Sequence, residues 1–357
     1  MAVPYTKPKG GIAADASILR TRNAPLKICT WNVRTLFQAG KFDNLLQEMK
    51  EMRVDILGIS ETRWAGEGMI DKKGYKMVYS GGSEHSHGVG IVMSDVVAKS
   101  LIGYWPVSDR IIMCKFKASP FDLTIVQVYA PTSDYTDEEV EQFYECLNET
   151  LKQVKSTDIT IILGDFNAKV GNTAMSSTMG RHGLGSTNER GESLINLCEQ
   201  KKMTIVNTLF KQPVRRLYTW KSPGDVKRNQ IDYIVMSSRF KNSAVNCRTY
   251  PGADIGSDHN PVIMQMKVKL KIPHSKQTKT VKYCTKLIRL PEEAEKYAVL
   301  VKNKFECLYV EEADATRDID QQWDCLKEAI EKTNEEFFYQ GLIEKGNRSG
   351  SQKISLT

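Results

Sequence analysis

The chain has 357 residues, 41% hydrophobic and 26% charged, with a formal net charge of +7. That is enough globular material for one large domain plus an extension, and the basic surplus favours an anionic partner such as nucleic acid. Eight scattered cysteines with no CxxC pair argue against a zinc site or a disulfide framework, and there is neither a long apolar run nor the apolar core of a signal peptide; the expectation is a soluble intracellular protein with no membrane partner.

Residues 1–25 are rich in Lys, Gly, Pro and Ala without periodicity and read as a flexible arm. Residues 26–33 alternate apolar and polar as a strand and carry Asn32 at the end. Phe42, Leu45, Leu46 and Met49 recur at helical spacing over residues 41–52. A strand at 54–60 ends in Glu61, with Arg63 and Trp64 following. Short strands are expected at 75–80, 89–94 and 111–117, and a buried one at 123–129, closed by Ala130 and Pro131. His85 and His87 form an HxH, for which a Ser/Gly-rich turn is a better account than a metal site. Residues 137–155 read as a helix with Val140, Phe143, Tyr144, Leu147 and Leu151 as its stripe. The apolar run Ile161, Ile162, Leu163 then meets Gly164, Asp165, Phe166 and Asn167. A Gly/Ser-rich loop covers 171–187, and Asn188 is the expected N-cap of a helix bearing Leu194, Leu197 and Cys198. Further strands are expected at 204–207, 217–220, 230–236 and 261–270, the last preceded by Ser257, Asp258, His259 and Asn260. A lysine-rich linker at 271–290, a helical extension at 291–340 with a packing face of Trp323, Leu326 and Ile330, and a flexible tail at 341–357 complete the chain.

Strands interspersed with few helices and short connections argue against a doubly wound sheet. The fold class expected is α/β, a four-layer α-β-β-α sandwich of two mixed sheets.

The polar residues at strand ends form a set: Asn32, Glu61, Tyr129, Asp165, Asn167, Asp232, Asp258 and His259. Asp165 and Asn167, two residues apart, point to one side of an extended chain. Taken singly, Glu61 and Asp258 read as solvated loop acids, His259 as a turn histidine and Tyr129 as a core aromatic. If the ends share one rim, they make an oxygen-rich pocket with one imidazole, suited to Mg²⁺ or Mn²⁺ rather than zinc. Such a cation polarises a phosphate oxygen while an acid or imidazole activates water, the chemistry of phosphodiester hydrolysis. Trp31 is assigned to the core; Trp220 stands between core and contact.

The motifs TWNVR, SETRW, VYAPT, LGDFNA, NQIDYI and SDHNPV occur in an order and spacing that resemble the endonuclease/exonuclease/phosphatase (DNase I-like) superfamily over residues 26–270. Within its AP-endonuclease-type branch the chain resembles the endonuclease domains of RTE/BovB-type non-LTR retrotransposons. The resemblance implies that Glu61 ligates a divalent metal, helped by Asn32 with Asp258 nearby, and that Asp165 positions or deprotonates the attacking water. It implies that Asn167 holds the scissile phosphate, that His259 binds or protonates it while Asp232 orients the ring, and that Tyr129 contacts it. Thr219 and Trp220 would lie on a hairpin beside DNA; Arg63, Asn188, Arg190 and Asn229 would touch backbone or minor groove. The implied activity is DNA nicking that leaves a 3′-hydroxyl and a 5′-phosphate, by a monomer in the nucleus. A phosphatase or RNA nuclease on the same scaffold, or a catalytically idle nucleic-acid-binding remnant, are the other readings. Arg34 stands where some AP endonucleases carry an acid, which argues against efficient abasic-site cleavage more than against phosphodiester cleavage.

Overall fold

The computed structural model describes residues 17–21, 25–172, 177–268, 289–310, 323–324, 326–334 and 336–337. The chain divides into two compact units, Met1–Lys271 and Ile272–Thr357. In the first, one mixed sheet has seven strands, in the order Ala244–Thr249, Val262–Met266, Leu26–Asn32, Ile56–Ser60, Val89–Ser94, Tyr75–Ser80 and Glu67–Lys72. The other has six, in the order Met203–Ile205, Asp232–Ser237, Ile159–Asp165, Leu123–Tyr129, Ile111–Phe116 and Leu101–Ser108. Each sheet has one parallel pair: Leu26–Asn32 beside Ile56–Ser60, and Leu123–Tyr129 beside Ile159–Asp165.

The strand pattern explains the layers. Side chains alternate across a strand, so Ile28 enters the core between the sheets while Cys29 and Trp31 join Phe42, Leu45 and Met49 of the Lys41–Met52 helix outside. In the other sheet Ile161 and Leu163 face inward, and Ile162 packs with Phe143, Leu147 and Leu194 of helices Asp137–Lys152 and Glu189–Gln200. Burial on both faces is why these strands read as continuous apolar runs. The result is the four-layer α-β-β-α sandwich expected. The sheets meet closely at Gly58, where an added Cβ would lie 1.9 Å from Gln127 Oε1; Gln127 Nε2 donates to Ser60 Oγ at 2.9 Å across this gap.

Where the observed elements differ from expectation, pairing outweighs local pattern. The edge strands Glu67–Lys72 and Leu101–Ser108 and the strand Ala244–Thr249 have weak signals of their own and are fixed by their neighbours. The strand expected at 204–207 is Met203–Ile205 followed by a 3₁₀ turn, Val206–Leu209. Of 217–220, Trp220 alone enters a strand, Trp220–Lys221, paired with Arg228–Asn229. Of the expected arm, 1–16 and 22–24 lie outside the described residues. Leu19–Arg20 is not loose: it pairs with Ala118–Ser119, and Thr21 is buried.

In the second unit, Pro291–Val310 is a helix, and the described residues from 323 to 337 are helical. Tyr297 donates to Asn334 at 2.8 Å and stacks edge-on against Phe337. Trp323 is 64% exposed and Ile330 41%, so the packing face runs through Thr333 and Phe337 rather than the Trp323 stripe. The linker at 271–288 and the tail at 341–357 lie outside the described residues. Among the described residues no helix is long and apolar enough to cross a membrane.

Candidate active site

The strands bring their polar ends to one rim. Leu26–Asn32 ends in Asn32, Ile56–Ser60 is followed by Glu61, Leu123–Tyr129 ends in Tyr129, and Ile159–Asp165 ends in Asp165. The antiparallel strand Asp232–Ser237 starts at that rim, directly opposite Asp165, and His259 sits just before the start of Val262–Met266.

Hydrogen bonds join these groups. Asn32 Nδ2 donates to Glu61 Oε1 at 2.8 Å and to Asp165 Oδ2 at 3.0 Å. Tyr129 donates its hydroxyl to Glu61 Oε1 at 3.1 Å. His259 Nδ1 lies 2.9 Å from Asp232 Oδ2, and its Nε2 lies 3.9 Å from Asp165 Oδ2. Asp165 is 1% exposed, Asp232 0% and His259 7%, so these charges meet in a low dielectric. Burial opposes ionisation of His259, but Asp232, through charge and hydrogen bond, and Asp165 outweigh it and lift the imidazole to about 9. Burial and then the charge of Asp232 push the Asp165 carboxyl up to about 7, against the pull of His259, Asn32 and the Asn167 backbone N–H. Burial pushes the Tyr129 hydroxyl well up, so it remains a donor.

Glu61 and Arg63 occupy left-handed backbone at φ 55° and 56°, and Asn167 at φ 47°. Non-glycine residues held there cost of order 1–3 kcal/mol each and persist where surrounding contacts impose them.

Asp165, Asp232 and His259 offer ligand atoms that all lie within 4.8 Å of one another. With His259 as imidazolium, this triad is better understood as a cation already balanced between two carboxylates. Glu61 is then the carboxylate of this rim that does not face the imidazole. Asp232 Oδ1, within that triad, is buried without a hydrogen-bond partner; toward Glu61 the donors are hard oxygens. The residue set thus fits Mg²⁺ or Mn²⁺.

Several expected residues are placed differently from their anticipated roles. Asn32, expected to help ligate the metal, gives its oxygen to the Arg34 backbone N–H at 3.0 Å and turns its amide to the carboxylates. It spaces Glu61 from Asp165 rather than presenting an oxygen. Asp258, expected near the metal, accepts from Trp220 Nε1 at 3.1 Å; Trp220 thereby holds an acid instead of standing free to stack on DNA. Thr219 is fully buried, and its Oγ1 accepts from the backbone N–H of Ile231 and Asp232 at 2.9 and 3.1 Å. A side chain sealed in this way cannot touch DNA; it fixes Asp232. Asn188 caps its helix, accepting from Gly191 N at 2.9 Å and Lys169 N at 2.8 Å. Arg190 bridges to Asp137 at 2.9 Å and to the Tyr135 carbonyl, on the helical layer. Asn167 Nδ2 donates to the Ala130 carbonyl at 2.9 Å, which leaves its second N–H. Arg63 lies half-exposed with NH2 3.3 Å from Glu61 Oε2, and Asn229 pairs with Trp220 on the hairpin.

Other supports were not legible in sequence. Trp31, in the core as expected, also donates its indole N–H to the His259 carbonyl at 2.9 Å. Ser257 Oγ donates to the Asn32 carbonyl at 2.6 Å and accepts from His259 N–H at 3.1 Å. Lys41 is buried; burial, Arg34 and Arg63 hold its ammonium pKa down, while Asp258 and Glu61 pull it up. It sits in the field of the site, and nothing in a helix's first residue announces that.

Two mixed sheets between helical layers, with a buried acid–imidazole–acid group at the strand ends, define the class: a four-layer α/β sandwich with a hydrolase type of site. The chain belongs to the endonuclease/exonuclease/phosphatase family, whose model matches residues 29–259. It is 43% identical over 262 residues to craniofacial development protein 2 from Bos taurus, covering 73% of this chain and 44% of that protein. To craniofacial development protein 2 from Tragulus javanicus it is 42% identical over 267 residues, covering 74% of this chain and 46% of that one. The match thus spans less than half the length of these relatives. Among solved structures, the AP endonuclease LMAP from Leishmania major superposes with a TM-score of 0.53 at 18% identity, covering 74% of this chain and 97% of that one. The 3′ phosphatase NExo from Neisseria, bound to a product DNA hairpin, gives 0.51 at 20% identity, covering 68% and 99%. The endonuclease domain of TRAS1, a telomere-specific non-LTR retrotransposon, gives 0.50 at 14% identity, covering 69% and 100%. At such identities these likenesses establish the fold.

Proposed function

We propose that this chain is a divalent-metal-dependent DNA endonuclease of retrotransposon type, which hydrolyses one phosphodiester bond to leave a 3′-hydroxyl and a 5′-phosphate. The observation that carries the reading is the closed network of Glu61, Asn32, Asp165, His259 and Asp232 at one rim. Asp165, as carboxylate, accepts a proton from water and orients it for in-line attack. His259, kept cationic and oriented by Asp232, donates to a non-bridging phosphate oxygen and neutralises charge as it builds. The free N–H of Asn167 donates to the same phosphate, while the Tyr129 hydroxyl keeps its one proton on Glu61 Oε1 and holds that carboxylate. Glu61 and Asp165 would hold Mg²⁺ or Mn²⁺, which when bound supplies positive charge for the departing oxygen. The net charge of +7 suits a polyanionic substrate. Arg63 and Asn229 remain proposed DNA contacts; Asn188, Arg190 and Thr219 do not, and Trp220 acts through Asp258. We place the activity in the nucleus, on DNA, with the chain acting as a monomer.

The test is conversion of supercoiled plasmid to open circle with Mg²⁺, with EDTA and the His259→Ala variant as controls. Cleavage that requires the metal and falls at least a hundredfold in the variant supports the proposal. The same slow nicking by wild type, variant and EDTA-treated protein sinks it, and salt-sensitive DNA binding without turnover then marks a catalytically idle binder. Parallel arms with an abasic duplex, a 3′-phosphorylated duplex and poly(A) separate an AP endonuclease, a phosphatase and an RNA nuclease.

A further inference from the structure

The tertiary fold gives His87 of the HxH turn a carboxylate partner from far along the chain. His87 Nδ1 lies 2.8 Å from Asp109 Oδ2. Its Nε2 lies 2.9 Å from the Tyr135 hydroxyl and 3.0 Å from Arg110 NH2. A guanidinium carries donors alone, so Nε2 must be the acceptor there; the proton sits on Nδ1, pointing to Asp109. Arg110 in turn grips Tyr129. Its NH1 donates to the Tyr129 carbonyl at 3.3 Å, its own carbonyl accepts from the Tyr129 N–H at 2.9 Å, and its guanidinium lies 5.2 Å from the Tyr129 ring and 4.8 Å from that of Tyr135. Tyr129 then reaches Glu61 Oε1.

The same turn holds Glu61 from its other side. The backbone N–H groups of Thr62 and Arg63 donate to the carbonyls of Gly88 and His87 at 3.0 and 2.7 Å, and the Arg63 carbonyl lies 2.8 Å from His85 Nδ1. Gly88 N–H donates to the Asp109 carbonyl at 3.0 Å. Glu61 and Arg63 both hold left-handed backbone, a conformation that needs such support.

We infer that His87, anchored by Asp109 and acting through Arg110, is a positioning residue that fixes the Tyr129–Glu61 pair of the candidate active site. It touches neither substrate nor metal. Its Nδ1–H fixes the ring, its Nε2 lone pair fixes the Arg110 fork, and Arg110 sets the height of the Tyr129 hydroxyl over Glu61. The inference rests on the nuclease reading for its kinetic consequence and on the hydrogen bonds alone for its structural one.

The experiment uses the full chain with three single substitutions, His87→Leu, His87→Gln and Tyr129→Phe, and the double His87→Leu with Tyr129→Phe. Plasmid nicking with Mg²⁺ gives kcat and KM, and amide hydrogen exchange without DNA gives local stability. The expected result is a kcat about tenfold lower for His87→Leu with KM within twofold of wild type, and at least half of that loss restored by His87→Gln, whose amide offers both a donor and an acceptor. The double variant should lose no more than the worse single one, because the brace acts through the Tyr129 hydroxyl. Exchange at peptides covering 61–63 and 129 should quicken in His87→Leu while the rest of the sandwich keeps its rate. Multiplicative losses in the double variant, or a change confined to KM, overturn the positioning role in an active enzyme. Unchanged exchange at 61–63 and 129 overturns it even if the wild-type chain cuts nothing, an outcome that refutes the nuclease reading separately.

Discussion

At the scale of single residues, one imidazole between two buried acids dominates the chemistry. Lifting Asp165 to about 7 and His259 to about 9 acts in one direction on stability, which falls as pH rises. His259 binds its proton more tightly when folded. Its contribution is therefore complete below the unfolded value near ~6.5 and is lost as pH rises through about 9. Asp165 also binds its proton more tightly when folded, so stability is lost as pH rises from its unfolded value of ~3.9 through about 7. Asp165→Asn removes that charge and keeps one acceptor, for the Asn167 N–H, while its NH2 takes the place of the oxygen that accepts from Asn32. At pH 8 it is expected to melt a few degrees higher than wild type, a gain on the order of 1 kcal/mol, and to lose nicking at least a hundredfold; calorimetry beside the plasmid assay reads both. A melt several degrees lower would show that burial is not what strains Asp165. Cleavage needs Asp165 ionised and His259 protonated, so kcat should rise with pH toward neutrality and fall as pH passes about 9, a bell to be read from pH–rate profiles.

At the scale of elements, the hairpin formed by Trp220–Lys221 and Arg228–Asn229 is a scaffold for the acids. Thr219, one residue before it, presents one oxygen to two backbone donors at the mouth of the Asp232–Ser237 strand. Trp220 ties Asp258 to the same hairpin, and an isolated bridge pairs Trp220 with His259. Thr219→Val keeps the shape and removes the acceptor, leaving two buried N–H groups unpaired. The expected loss is about 2 kcal/mol of stability in urea unfolding, with kcat reduced as Asp232 loses its seat. A Thr219→Ser variant, which keeps the hydroxyl, should recover most of both. A stability loss below about 0.5 kcal/mol would mean that these two bonds are not what holds the strand mouth.

At the scale of the whole molecule, the rim is complete within the first unit. Every group from Asn32 to His259 lies inside Met1–Lys271, and the family match ends at residue 259. A fragment of residues 17–268 keeps the Leu19–Arg20 strand, whose pairing with Ala118–Ser119 and bond from Val268 N–H to the Thr21 carbonyl close the sandwich edge. It is expected to unfold in one cooperative step and to retain Mg²⁺-dependent nicking within threefold of the full chain. Loss of the cooperative melt, seen by circular dichroism, would show that residues after 271 contribute to the core.

The sequence by itself determined the layers. Ile161 to Leu163 can be a continuous apolar run only in a strand covered on both faces, and Phe42, Leu45 and Met49 can align only on a helix. It also set Asp165 at the close of a strand, Glu61 just after one, Asp232 at the opening of one and His259 just before one, where side chains leave the core. The tertiary structure alone decided what each polar group faces. Asn32 could have offered oxygen or amide; the neighbouring Arg34 N–H settled it. Thr219 and Trp220 could have faced DNA; cross-strand pairing turned one inward and set the other on Asp258. The nearest acid to His87 along the chain is Glu84, yet Asp109, twenty-two residues on, is the one that reaches its Nδ1 across the fold. Hydrophobic period is a property of neighbours along the chain, whereas a hydrogen-bond partner is a property of neighbours in space. That is why the fold and the polar residues at its strand termini were legible before the structure and their hydrogen-bond partners were not.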